Sequence, residues 1–179
     1  MTDIIIPTLD GGTMGAYLAP AKNGSGNGVL VIQEIFGVNA GVRAICDHFA
    51  AQGFFALAPD LFWRMRPNVQ LTDQTEAEWQ QAMDFYQKFN VDLGITDLIA
   101  ALGYLRQHKG CGGKVGTVGY CLGGKLSYLM ATRSDVECAV SYYGGGIQDM
   151  LDEAVEIRHP YMLHLAGADK YIPLDAQHK

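Results

Sequence analysis

A mostly parallel β-sheet with helices packed on both faces is the fold class this sequence predicts, and three observations carry the prediction. Short apolar runs rich in β-branched residues alternate with helical apolar spacings almost throughout, the order that parallel neighbours joined by crossover helices require. Val29–Gln33 is apolar without alternation, the pattern of a central strand buried on both faces. Glycine occupies 22 of 179 positions, about 12% against a usual ~7%, and the excess clusters in short turns suited to strand-to-helix junctions.

Ile4–Pro7 and Met14–Ala19 flank Gly11-Gly12 and predict an N-terminal β-hairpin. Gly24, Gly26 and Gly28 precede the strand Val29–Gln33, which ends at Glu34. Residues 40–52 carry Val42, Ile45 and Phe49 at helical spacing and stop at Gly53, and Phe54–Ala58 is a strand closed by Pro59-Asp60. Residues 60–73, with Arg64, Arg66 and Pro67, show no period and read as a functional or surface loop. Helices follow over about 74–89 and 92–108, then a strand at Lys114–Gly119 and a helix at Leu122–Thr132. Cys138–Tyr143 is a strand halted by Gly144-Gly145-Gly146, and Tyr161–Leu165 a further strand ending at Gly167. Ligands of such sheets bind beyond the carboxyl ends of the strands.

Composition narrows the function classes. With 49% hydrophobic and 18% charged residues, the chain has the make-up of one globular domain over residues 1–179. A net charge of −6 and the lack of any basic stripe argue against nucleic acid as a partner. No apolar run approaches the ~18 residues of a membrane span, and Met1-Thr2-Asp3-Ile4 does not open a secretory signal, so no membrane partner and a cytoplasmic location are expected. Cys46, Cys111, Cys121 and Cys138 form no C-x-x-C pair, which predicts reduced thiols and no metal ligation. Cys46, Cys111 and Cys138 read as small buried hydrophobes.

Cys121 differs from the other three. Val115–Gly119 runs through Gly119-Tyr120-Cys121-Leu122-Gly123-Gly124 into a helix, the form of a nucleophile elbow. Gly119 and Gly123 remove side chains that would collide with neighbouring backbone, leaving the central thiol exposed above the sheet. A helix N-terminus favours the thiolate, although a free Cys, with a pKa of about 8.5, still needs a base at neutral pH. Gly119–Lys125 also satisfies G-x-x-x-x-G-K, but Leu126 stands where a phosphate-binding loop needs Ser or Thr for Mg²⁺.

Gln33-Glu34-Ile35-Phe36-Gly37-Val38-Asn39, Ala58-Pro59-Asp60-Leu61, the elbow hexapeptide and Tyr142-Tyr143-Gly144 together resemble the dienelactone hydrolase family of α/β-hydrolases, over essentially the whole chain. The resemblance implies the α/β-hydrolase fold, attack on a small-molecule ester or lactone carbonyl, and no cofactor. It implies Cys121 as nucleophile, Asp169 as the acid that orients a histidine, and Glu34 as the carboxylate that takes the thiol proton. It further implies an oxyanion hole from the Leu122 and Ile35 backbone N–H groups, and Phe36 and Tyr143 at the pocket. A monomer or weak homodimer is expected.

Two departures from the family stand out. The family's histidine lies tens of residues beyond the aspartate, whereas Lys179 is ten residues after Asp169. His48, His108, His159 and His164 precede Asp169, and His178 falls at the expected start of a helix, so the reading is a chain lacking its C-terminal strand and helix. The family also binds a substrate carboxylate with arginines, one in the helical stretch before the middle of the chain and one near the missing histidine. Here no Lys or Arg occurs from Pro67 to Gln87, and Trp79 and Tyr86 are the candidate substrate-binding residues there, which favours a more neutral ester or lactone. The missing histidine leaves a non-catalytic small-molecule-binding protein on the same scaffold as the alternative.

Overall fold

The alternating patterns become one seven-stranded sheet in the computed structural model, which describes residues 2–179. The strands are β1 (Thr2–Pro7), β2 (Thr13–Ala19), β3 (Gly26–Ile32), β4 (Phe55–Pro59), β5 (Cys111–Tyr120), β6 (Ala139–Tyr142) and β7 (Tyr161–His164). Their order is β1-β2-β4-β3-β5-β6-β7. β1 and β2 form the antiparallel hairpin, with Ile4 opposite Ala16, and β2 continues antiparallel against β4. From β4 to β7 every pairing is parallel. The helices are α1 (Ala40–Ala51), α2 (Glu76–Lys88), α3 (Val91–Gln107), α4 (Leu122–Arg133) and the short α5 (Leu174–Gln177).

Successive strand residues face opposite sides, so β3 feeds two cores. Leu30 and Ile32, both fully buried, join Leu98 and Leu105 of α3 and Leu126 of α4 on one face. Val31 joins Val42, Cys46 and Ala50 of α1 on the other. Polar side chains start three helices: Asn39 Oδ1 accepts from Val42 N at 3.1 Å, Thr75 Oγ1 from Glu78 N at 3.2 Å and Asn90 Oδ1 from Leu93 N at 3.0 Å. No described helix is long and apolar enough to cross a membrane.

Two expectations need correction. Residues 60–73 are not a surface loop along their length, because Leu61, Phe62, Val69 and Leu71 are buried. The Asp60 carboxylate folds this segment by accepting from Phe62 N at 3.1 Å and Asn68 N at 2.7 Å. Cys138 is exposed rather than buried, while Cys46 is buried, Cys111 half-buried and all four thiols are free. Two 3-10 turns, Ile147–Asp149 and Leu151–Glu156, follow β6. The second has no buried residue and therefore no apolar period; contacts from α4 hold it, Arg133 to Glu153 at 2.6 Å and the Tyr128 hydroxyl to Met150 O at 2.8 Å.

Candidate active site

Cys121 lies between β5 and α4 with φ 54°, a left-handed backbone that a residue with a side chain rarely adopts. The turn closes on itself, since Cys121 N donates to Tyr142 O at 3.1 Å and Lys125 N to Cys121 O at 3.2 Å. Its flanking glycines answer to close approach: a Cβ on Gly119 would overlap the Gly123 carbonyl, and one on Gly123 would overlap the carbonyls of Ile32 and Gln33. The strained turn aims the sulfur into a cavity of about 320 Å³ beyond the carboxyl ends of β3 and β5.

The floor of that cavity combines Cys121, Leu122 and Ile35. Leu122 opens α4, where its N–H has no intrahelical acceptor and stands close enough to the Cys121 sulfur to favour the thiolate. The Ile35 N–H has no hydrogen-bond partner among the described residues. Two unspent backbone donors thus border the thiol, as an oxyanion site requires. Gln33 holds the Ile35 loop, its buried amide accepting from Leu61 N at 3.1 Å and donating to Glu34 O at 3.2 Å.

Two carboxylates act on the sulfur. Asp169 lines the cavity, and its Oδ1 accepts from Tyr171 N at 2.7 Å and Ile172 N at 3.2 Å, while Oδ2 has no partner among the described residues. One oxygen thus shapes the turn and the other remains able to accept. Glu34 is half-buried and accepts from the Tyr143 hydroxyl at 3.4 Å. Burial raises the Glu34 carboxyl above its ordinary value, the Tyr143 bond opposes this, and Asp73 adds to it. Burial likewise raises the Cys121 thiol; the Leu122 N–H opposes, and the charges of Glu34 and Asp169 raise it further. Desolvation and two anions thus outweigh a single N–H, so the setting of Cys121 works against the thiolate and the sulfur still needs a base.

The walls are apolar. Trp79, Met83 and Tyr86 project from one face of α2, and Tyr143, Tyr171 and Ile172 stand across from them. Tyr143 also has a left-handed backbone, φ 40°, and its hydroxyl is pushed up to about 12, first by burial and then by the charge of Glu34. Phe36 is corrected from lining to support, since it is absent from the cavity surface and its ring packs 5.9 Å from Trp79. Met83, Tyr171 and Ile172 went unread in the sequence. Helical spacing from Trp79 could have found Met83, whereas Tyr171 and Ile172 reach the cavity only through the turn that Asp169 folds. No histidine lines the cavity, and His178 is exposed beyond α5. Among the described residues no group of three or more His, Cys, Asp or Glu side chains could hold a metal ion.

The profile of the dienelactone hydrolase family matches residues 14–179. A protein of Azospirillum brasilense, provisionally named a carboxymethylenebutenolidase, is 43% identical over 181 residues, covering 100% of this chain and 78% of that protein. The carboxymethylenebutenolidase of Pseudomonas putida is 39% identical over 170 residues, 95% of this chain and 72% of the relative. A solved structure from Klebsiella pneumoniae, provisionally named a dienelactone hydrolase, superposes with a TM-score of 0.84 at 28% identity, covering 99% of this chain and 76% of that one.

Proposed function

The chain belongs to the dienelactone hydrolase family, and from that premise we propose that it hydrolyses a small-molecule carboxylic ester or lactone with Cys121 as nucleophile, through an acyl-thiol intermediate. The observation that carries this reading is the strained turn at Cys121, which presents the sulfur to a cavity beside two free backbone donors. Glu34 takes the thiol proton as the sulfur bonds to the carbonyl carbon, and the carbonyl π pair moves onto oxygen against the Ile35 and Leu122 amides. Collapse of this oxyanion breaks the carbon–oxygen single bond, and the departing alkoxide takes the proton back from Glu34. Water then attacks the thioester, an imidazole accepts its proton, and the thiolate leaves to be reprotonated.

Burial suits Glu34 to this work, because a carboxylate raised above its ordinary value is the stronger base. The unpartnered Oδ2 of Asp169 is available to orient the imidazole. The same proposal assigns that imidazole to a histidine outside the described residues, and it includes a cytoplasmic location and a monomer or weak homodimer.

The test is intact-mass measurement with peptide mapping after brief exposure to p-nitrophenyl acetate and acid quench. An acetyl group on Cys121, absent from Cys121→Ala, is the expected result. Equal ester turnover by Cys121→Ala would overturn the assignment.

A further inference from the structure

We infer that Gln33 is the positioning residue of the oxyanion site: its buried side-chain amide holds the peptide between Glu34 and Ile35 so that the Ile35 N–H is presented to the developing oxyanion. The inference rests on Cys121 being the nucleophile and on the Ile35 N–H being a donor of that site, and it adds what aims the donor. A trans peptide unit carries its C=O and N–H on opposite sides, so fixing the carbonyl fixes the donor. No described peptide is cis, and Gln33 Nε2 donates to Glu34 O at 3.2 Å. The Ile35 N–H of the same unit therefore points away from the Gln33 amide, and Ile35 itself lies on the cavity floor.

The sheet does not supply this restraint. Pairing of β3 with β4 ends at Leu30 and Leu57, and with β5 at Ile32 and Gly119, so the 34–35 peptide lies beyond the last ladder position. Glu34 O accepts from no other group among the described residues. At its other atom the fully buried Gln33 amide is anchored, Oε1 accepting from Leu61 N at 3.1 Å. That anchor is itself fixed, since the buried Asp60 accepts from Phe62 N and Asn68 N while Asp60 N donates to Gly15 O at 2.8 Å. One atom of the side chain must accept from an N–H and the other must donate to a carbonyl. A side-chain amide does both without charge, which burial requires. An aliphatic chain of the same length removes the hold on the Glu34 carbonyl, and a peptide unit turned over would present that carbonyl to the oxyanion instead of an N–H.

An ester and an alkyl halide separate this role from others. Attack of Cys121 on p-nitrophenyl acetate builds an oxyanion, whereas with iodoacetamide the sulfur bonds the methylene carbon as iodide leaves with its electron pair, and no oxyanion forms. The thiol proton goes to Glu34 in both reactions. Both second-order rates at Cys121 are read by mass spectrometry in the native chain and in Gln33→Met. The ratio of acetylation to alkylation should fall about tenfold or more in Gln33→Met, short of the roughly hundredfold or greater cost of deleting a donor outright, with alkylation within about twofold of native. An unchanged ratio would overturn the inference, whether neither rate falls, which leaves the bond to Glu34 O without a role, or both fall together, which places the effect in the fold or in the base. If circular dichroism shows no cooperative melting of Gln33→Met, the comparison is made in Gln33→Glu, where a carboxylic acid donates to Glu34 O and a carboxylate does not. Relative to native, its ratio should fall as pH is raised from about 6 to about 9, and a ratio parallel to native over that range would overturn the inference. Failure of p-nitrophenyl acetate to acetylate Cys121 in the native chain would overturn the nucleophile assignment, and this inference with it.

Discussion

Glu34 ends β3 half-buried, and burial holds its carboxyl above the ordinary value of 4.5. The folded chain therefore binds this proton more tightly than the unfolded chain. The associated stability is fully present below about pH 4.5 and is lost as pH rises through the raised folded value. Glu34→Gln removes that loss, so its melting temperature should exceed that of the native chain at pH 7 and match it near pH 4, followed by circular dichroism. An equal gain at both pH values would assign the effect to packing instead. The same substitution should slow Cys121 acetylation about a hundredfold, the usual scale for losing a general base. The Gly119-x-Cys121-x-Gly123 spacing is legible in sequence because backbone sterics within a few residues dictate it. The upward push on the Cys121 thiol is not, because Glu34 and Asp169 approach it from segments far apart in the chain.

At the level of elements, α2 is divided three ways. Ala82 and Phe85 face the core, where Phe85 stacks on Phe62 at 5.1 Å; Trp79, Met83 and Tyr86 face the cavity; Glu76, Gln80 and Asp84 face solvent. The segment before it is anchored to α3 through Asp97, which is 1% exposed and accepts from Trp63 Nε1 at 2.8 Å and from Arg64 at 2.7 and 3.0 Å. Asp97→Ala leaves the half-buried Trp63 indole N–H unpaired and takes from Arg64 its buried partner. The expected loss is about 3 kcal/mol, read from the midpoint of urea unfolding, with Arg64's partial exposure and its remaining bond to Asp10 keeping it from being larger. A loss under about 1 kcal/mol would show that solvent already screens the pair. Helix periods and caps announce α1 to α4 in the sequence, but the folding of 60–73 does not announce itself, since Asp60 organises it through backbone amides rather than a repeating side-chain pattern.

Across the whole molecule, the described residues bring Cys121, the Leu122 and Ile35 N–H groups and Asp169 with a free oxygen to one cavity, but no described histidine lines it, and on the proposed reading the reaction lacks its second base. Acylation and deacylation should therefore separate. The acetyl-Cys121 adduct should persist for minutes in this chain, and added imidazole should speed its hydrolysis in proportion to concentration, as followed by mass spectrometry. Rapid loss of the adduct without imidazole would mean that a residue already described completes the reaction. β7 forms one edge of the described sheet, with Met162, Leu163 and Leu165 exposed and His164 stacked on Tyr142 at 4.3 Å. By itself the sequence determined the sheet class, the hairpin, the elbow and the family resemblance, because each depends on residue spacing within a short segment or on motifs in order. Only the tertiary structure decided which side chains wall the cavity, that Phe36 stands outside it, that Asp169 divides its two oxygens, and that burial and two carboxylates push the Cys121 thiol up. Burial and charge at a point in space are sums over residues that only folding brings together.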